Sequence, residues 1–182
     1  MTGELGIIQA VQTLFVSENA RNFAVFAARY LVFVFVFICA ALGYGKKRLH
    51  WRRTAYDAAW AALLAIVVVN SIGFMVYRAR PYLASTEIIQ MIPAPLTNHS
   101  FPSGHTAVSF AAAAAITLGA PEIGLFALVL AALVGFGRVA VGVHYPSDIF
   151  VGALVGMVCA VIVRYARPAL GKWLKSTKTN PS

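Results

Sequence analysis

From Phe23 to Tyr44 the chain carries a single charged side chain, Arg29, and from Ala55 to Val76 it carries only Asp57. No other feature constrains the fold as tightly. Wound as an α-helix, either run reaches across the roughly 30 Å hydrocarbon core of a bilayer. Alternating Val and Phe at 32–37 have strand character by residue type. An isolated strand cannot satisfy its backbone in lipid, so helix is expected there too. Hydrophobic residues make up 60% of the 182 and charged residues only 12%. So small a chain has too little interior to hide that much apolar surface from water. A soluble domain and a disordered chain are both excluded.

Three shorter apolar stretches follow, Ala107–Ala120, Ile123–Gly137 and Ile149–Val163. With the first two they define an all-α integral membrane helical bundle of about five transmembrane helices. Stretches of this length rise only about 22 Å as helices, which sinks their polar flanks slightly below the headgroups. At the amino terminus Leu5, Ile8, Val11 or Gln12, and Phe15 fall at helical spacing. They read as an amphipathic helix lying on the interface; a terminus packed on the body is the plainer alternative. The whole chain, 1–182, reads as one domain. It comprises an interfacial helix at 1–18, a transmembrane core at 19–168 and a basic tail at 169–182.

Charge orients the bundle. Fifteen Lys and Arg against six acids leave a formal +9. Such an excess can signal nucleic acid, but here topology accounts for it. Five bases lie in the 46–53 loop, and Arg164, Arg167, Lys172, Lys175 and Lys178 lie near the carboxyl terminus. Five spans put both groups on one face, as cytoplasmic loops require. No nucleic-acid partner is expected. Trp51 and Trp173 fall at that same interface, as an aromatic belt would. The amino terminus, the 77–104 loop and the Gly137–Asp148 connection then share the outer face. No Lys or Arg precedes Arg21, so the basic start of a cleavable signal peptide is missing. Cys39 and Cys159 sit inside apolar runs and imply neither a disulfide framework nor a zinc site.

The outer segments hold the chemistry. Arg78-Ala79-Arg80-Pro81 comes first, then Pro102-Ser103-Gly104-His105, then Gly137-Arg138 followed by His144 and Asp148. Arg80, Arg138 and Arg78 offer planar forks suited to phosphate oxygens. Ser103 and Gly104 open a helix, where free amides attract an anion. His105 and His144 can serve as proton donor or nucleophile near neutral pH. Asp148, four residues beyond His144 across Pro146, can hold one ring nitrogen and leave the other to attack. Polar clusters this close to lipid are costly and functional by default.

Arg-Pro, then Pro-Ser-Gly-His, then Arg, five residues, His, three residues, Asp: in that order these resemble the type 2 phosphatidic acid phosphatase superfamily, over residues 80 to 148. The resemblance implies that His144 attacks phosphorus and becomes phosphohistidine, that Asp148 orients it, and that His105 protonates the leaving oxygen. Arg80, Arg138, Ser103 and the Gly104 amide would hold the phosphoryl oxygens, with no metal and no cofactor, the arginines acting as the charge clamp. Two positions depart from the pattern. Gly73 stands where the family has Lys, and Gly137 where it usually has Ser. Arg78 is the expected replacement for the lost charge.

Within the superfamily the plan is most similar to bacterial undecaprenyl-diphosphate phosphatases. The shared features are the short amphipathic start, the basic loop after span one, the Tyr-X-X-Arg-Pro run and the Ile-Pro-rich loop. That resemblance implies a bacterial inner-membrane enzyme, its site facing the periplasm or exterior, that takes a polyprenyl diphosphate from the bilayer and hydrolyses it to the monophosphate. The alternatives are a phosphatase for phosphatidylglycerophosphate, phosphatidate or lipid A, a non-catalytic lipid carrier or transporter, and a haloperoxidase, against which the spans speak. Elsewhere, bland readings prevail. Arg29 snorkels, His50 is solvated, His99 is a surface or gating residue, Glu87 faces water, and Asn70 bonds between helices. Gly152 and Gly156 favour packing within one chain over dimerisation; nothing specifies an oligomeric state.

Overall fold

The computed structural model describes residues 2–44, 49–94 and 99–179, with side chains to residue 167. Lys46, Lys47 and Arg48 of the basic loop, and the side chains of Trp173 and the tail lysines, lie outside these limits. The described elements are the helices α1 (Thr2–Gln12), α2 (Glu18–Arg29), α3 (Leu31–Tyr44), α4 (Leu49–Met75), α5 (Pro81–Ala84), α6 (Gly104–Gly119), α7 (Gly124–Ala140) and α8 (Pro146–Thr179), with two short 3₁₀ turns.

By length and composition α4, Pro121–Ala140 and Pro146–Arg167 can each cross a membrane, and α2 with α3 can form a fourth span. The sixteen-residue α6 is a shorter apolar helix. All five apolar stretches are therefore helical, and the protein is a membrane-type helical bundle. Large apolar side chains cover its outside, among them Phe37, Val67, Leu125, Phe126, Phe150 and Val158, as lipid contact requires.

The first run is not one straight span: α2 and α3 meet at a bend of 50°. Small residues explain where α2 goes. Ala24, Ala27 and Ala28 are buried, and α2 comes so close to α7 that a side chain on Gly137 would stand 2.8 Å from the Ala28 nitrogen. Arg138 then donates to the Ala28 carbonyl at 3.3 Å.

At the centre α6 packs against α4, α7 and α8. Its alanine-rich faces, Ala107, Ala111, Ala112, Ala113 and Ala115, allow this. Gly156 of α8 lies so near that an added Cβ would stand 2.2 Å from the Ala107 carbonyl oxygen. Gly152 and Gly156 thus serve packing within the chain. At one end of the bundle Asp57 of α4 pairs with Arg164 at 3.5 Å and Arg167 at 3.0 Å. The motif residues gather at the other end, around the carboxyl end of α4 and the amino ends of α6 and α8.

The amino-terminal helix forms, and its buried residues Ile8, Gln12 and the following Phe15 are those with helical spacing. That side faces the protein. Ile8 packs with Ile88, Val139 and Tyr145, and Gln12 bridges the Ile89 and Ala140 carbonyls at 2.7 and 3.1 Å. Glu87 accepts from Gln9 of the same helix.

Candidate active site

Each functional side chain is placed by a helix end. Ser103 stands at the N-cap position of α6 without a side-chain cap bond, and Gly104 and His105 form the first turn, whose amides have no acceptor within the helix. The Ser103 amide bonds to the Asp148 carbonyl at 3.1 Å, joining α6 to α8. Arg80 precedes α5, with Pro81 at its first position. Arg138 occupies the last turn of α7, His144 the turn after it, and Asp148 the first turn of α8.

These pieces surround a cavity of about 400 Å³. Arg80, Gly104, His105, Arg138 and His144 line it, together with Val69, Asn70, Phe74, His99 and Pro102. Its charged lining is cationic, from Arg80 and Arg138, each with a buried Nε that has no hydrogen-bond partner among the described residues. Arg80 is further held by the Val143 carbonyl at 3.0 Å and the His99 carbonyl at 3.4 Å. Burial lowers the pKa of its guanidinium. Two desolvated arginines facing one space favour an anion between them.

His144 is 4% exposed. Its Nδ1 stands 2.8 Å from the Ser100 carbonyl oxygen and 3.4 Å from Asp148 Oδ2. Both neighbours are acceptors, so Nδ1 carries the proton and Nε2 keeps a lone pair. Nε2 lies 3.4 Å from Arg80 Nη1. Burial, with the charges of Arg138 and Arg80 against a partly offsetting bond to Asp148, pushes the imidazole down to about 4. It is neutral at physiological pH, as a nucleophile must be.

Asp148 is fully buried and fully bonded. Its Oδ2 accepts from the Ser100 hydroxyl at 2.5 Å and the Tyr145 amide at 2.9 Å. Its Oδ1 accepts from Arg78 at 2.7 Å.

Arg78 corrects one expectation. It does not line the cavity. Its guanidinium is taken up by Asp148, by Glu4 at 2.6 Å and by Ser147 at 2.6 Å, and lies over the Tyr145 ring at 3.7 Å. Two carboxylates outcompete a cavity that holds none. Ser103 is also fully buried and accepts from Thr106 at 2.9 Å. Asn70 makes no interhelical bond among the described residues; it lies exposed at the cavity edge. His99, read as a surface or gating residue, lines the cavity wall.

Two participants were invisible in the sequence. Ser100 acts chiefly through a backbone carbonyl, which no residue type advertises. Glu4 is remote in the chain from everything it touches. Among the described residues no three His, Cys, Asp or Glu side chains cluster as a metal site would need.

A buried imidazole, tied at Nδ1 and open at Nε2, thus stands beside an arginine-lined cavity suited to an anion. The chain belongs to the PAP2 superfamily, whose profile matches residues 54–172. It is 34% identical over 113 residues to the bacitracin transport permease protein BcrC of Bacillus licheniformis, covering 60% of this chain and 55% of that one. To the undecaprenyl-diphosphatase BcrC of Bacillus subtilis it is 34% identical over 103 residues, covering 56% and 50%. The chain thus spans about half the length of these two curated relatives. The decaprenylphosphoryl-5-phosphoribose phosphatase of Mycobacterium tuberculosis is 29% identical over 166 residues, covering 88% and 89%. Among solved structures, Aquifex aeolicus LpxE superimposes with a TM-score of 0.70 at 25% identity, over 89% of this chain and 94% of that one.

Proposed function

We propose that this protein is a lipid phosphatase that hydrolyses undecaprenyl diphosphate to undecaprenyl phosphate. The observation that carries the reading is the orientation of His144: Nδ1 is occupied by Ser100 and Asp148, while Nε2 is available beside Arg80. The terminal phosphoryl group binds between Arg80 and Arg138 and the α6 amides at Gly104, near the Ser103 cap. His144 Nε2 attacks its phosphorus; the bridging P–O bond breaks, and the lipid monophosphate leaves with a proton from His105, which becomes charged only when the phosphoryl dianion enters the cationic cavity beside it. Asp148 stabilises the imidazolium-like phosphohistidine. Water then attacks the P–N bond, giving up a proton to His105, and inorganic phosphate departs. The two arginines supply the charge a metal would otherwise bring.

The substrate assignment is supported by the Bacillus subtilis relative named for that diphosphate and by the apolar residues Val69 and Phe74 in the cavity wall. The prenyl chain stays in lipid while the headgroup enters the cavity. The Lys and Arg of the 46–53 loop and the tail support a site on the opposite, periplasmic or outer, face of a bacterial inner membrane, with the basic tail in the cytoplasm; residues 1–182 act as one domain.

The test is phosphate release by detergent-purified protein, in EDTA, from undecaprenyl diphosphate beside phosphatidylglycerophosphate, phosphatidate and lipid A. Fastest turnover of the prenyl diphosphate, and loss with His144→Ala, are expected. Preference for another lipid overturns the substrate, and dependence on a divalent ion overturns the metal-free chemistry. One relative is named a transport permease, which favours a second reading as a carrier. Lipid movement across vesicles without phosphate release would establish it.

A further inference from the structure

Asp148 is buried on a side of His144 that the cavity does not reach, and its second oxygen is held by a chain of charges that ends in the amino-terminal helix. Arg78 Nη1 donates to Asp148 Oδ1 at 2.7 Å and to Ser147 Oγ at 2.6 Å; Nη2 donates to Glu4 Oε2 at 2.6 Å. The other Glu4 oxygen accepts from the Ser147 amide at 2.9 Å, in the first turn of the helix that carries Asp148. The Tyr145 ring closes the arrangement under the guanidinium. Glu4 itself sits in the first turn of α1, outside the matched family segment of residues 54–172. Neither Glu4 nor Arg78 lines the cavity.

We propose that Glu4 and Arg78 are positioning residues for Asp148, so that helix α1 is a working part of the site. The inference rests on the phosphatase reading above. Alone beside Asp148, Arg78 would cancel the negative field that His144 needs when it takes a phosphoryl group. With Glu4 on its other fork, the trio carries a net single negative charge, and Asp148 keeps its influence on the imidazole. Hydrogen bonding serves the same end. A fully buried carboxylate with an unbonded oxygen is costly, and Arg78 fills Oδ1 without displacing Ser100 or Tyr145 from Oδ2. Glu4 also occupies an amide that the start of α8 leaves unpaired. The helix that brings Glu4 is held by Gln12, which receives the Ile89 amide at 3.1 Å and donates to two carbonyls.

The experiment compares full-length wild type with Glu4→Gln, Arg78→Gln and the double variant in detergent, on undecaprenyl diphosphate. Glu4→Gln keeps the side chain's size and one acceptor oxygen, removes the charge, and gives up one of the two bonds that Glu4 accepts from Arg78 and the Ser147 amide. We expect kcat to fall about 10- to 100-fold in each single variant, with KM and the vanadate inhibition constant moving less than about threefold, because the cavity is untouched. The double variant should be no slower than the worse single one, since the two act as a unit. Arg78→Lys, which restores charge without the fork, should recover part of the rate. Gln9→Ala, on the same helix but bonded only to exposed Glu87, should leave kcat at the wild-type value. An active wild type whose Glu4→Gln variant matches its kcat overturns the positioning role, as does a fall in which vanadate affinity is lost in parallel. A wild type inactive on every phospholipid overturns the phosphatase reading instead.

Discussion

The Ser100 carbonyl oxygen lies 2.8 Å from His144 Nδ1, nearer than the Asp148 carboxylate at 3.4 Å. The tautomer of His144 is therefore set by a backbone group and only reinforced by the carboxylate. This separates two jobs that one carboxylate performs in a simple His-Asp pair. Ser100 orients, and Asp148 supplies charge. Asp148→Asn should consequently lower kcat by about 100- to 1,000-fold, less than the roughly 10⁴-fold expected when a substitution also reverses the tautomer. Ser100→Ala retains the carbonyl and removes only the hydroxyl bond to Asp148, so a loss of about tenfold is expected. Single-turnover formation of phosphohistidine measures both. Equal, complete inactivation by the two variants would contradict the division.

The depressed basicity of His144 sets the pH profile. The group must be neutral to attack, and burial with two nearby guanidinium groups keeps it neutral down to about 4. The acid limb of kcat/KM should therefore fall near pH 4, not near the roughly 6.5 of a free imidazole. Arg80→Gln removes a positive neighbour, makes protonation easier, and should move that limb upward. Stability follows the same sign. The unfolded chain protonates this residue below about pH 6.5 while the folded protein resists until about 4, so stability falls as pH drops through that window. A pH–rate series on wild type and Arg80→Gln, with thermal unfolding at matched pH, reads both effects.

What the sequence made legible, and what it hid, divides along physical lines. Arg80, His105, Arg138, His144 and Asp148 were readable because each belongs to a short run at a helix end, where spacing translates directly into proximity. Apolar runs revealed the helices for the same local reason. The 50° break between α2 and α3 was hidden, as was the close packing of Ala27 and Ala28 on Gly137, a contact between segments far apart in the chain. Arg78 was assigned to phosphate because its position in the motif suggested a replacement charge. Its real partners, Asp148 and Glu4, lie 70 and 74 residues away, beyond any local pattern. The amphipathic spacing of α1 was visible, and of its two readings, a helix on the interface or a terminus packed on the body, the structure shows the second.

Gly156 gives a test of the packing that carries the site. A side chain there would stand 2.2 Å from the Ala107 carbonyl and 2.7 Å from the Ala111 nitrogen, both backbone atoms that cannot swing aside. Gly156→Ala should push α8 from α6, cost about 3 kcal/mol, and lower activity by separating His105 from His144. Gly43→Ala is the contrast, since its nearest neighbour is the Ala55 Cβ at 4.0 Å. It should leave the melting temperature in detergent unchanged, while Gly156→Ala lowers it by several degrees.

Gly73 stands where the family pattern has a lysine. The space a side chain would take there is filled: a Cβ on Gly73 would fall 1.8 Å from the His99 ring. His99 packs edge-on to Phe74, lines the cavity, and has a buried Nδ1 without a partner among the described residues. Glycine at 73 is thus what lets this imidazole lie against α4 beside the cavity, its buried Nδ1 unpartnered among the described residues. A substrate oxygen is the natural complement of that nitrogen. Gly73→Ala displaces the ring and His99→Ala deletes it, so the two variants should behave alike. Each should raise KM for the prenyl diphosphate about 3- to 10-fold, the effect of one hydrogen bond worth about 1 kcal/mol, with kcat little changed. Gly73→Ala should do this without loss of thermal stability, because the group that yields is a side-chain tip rather than backbone. A KM unchanged in both variants would return His99 to the role of a wall residue, whereas a rise in His99→Ala alone would mean that the ring finds the substrate from more than one position.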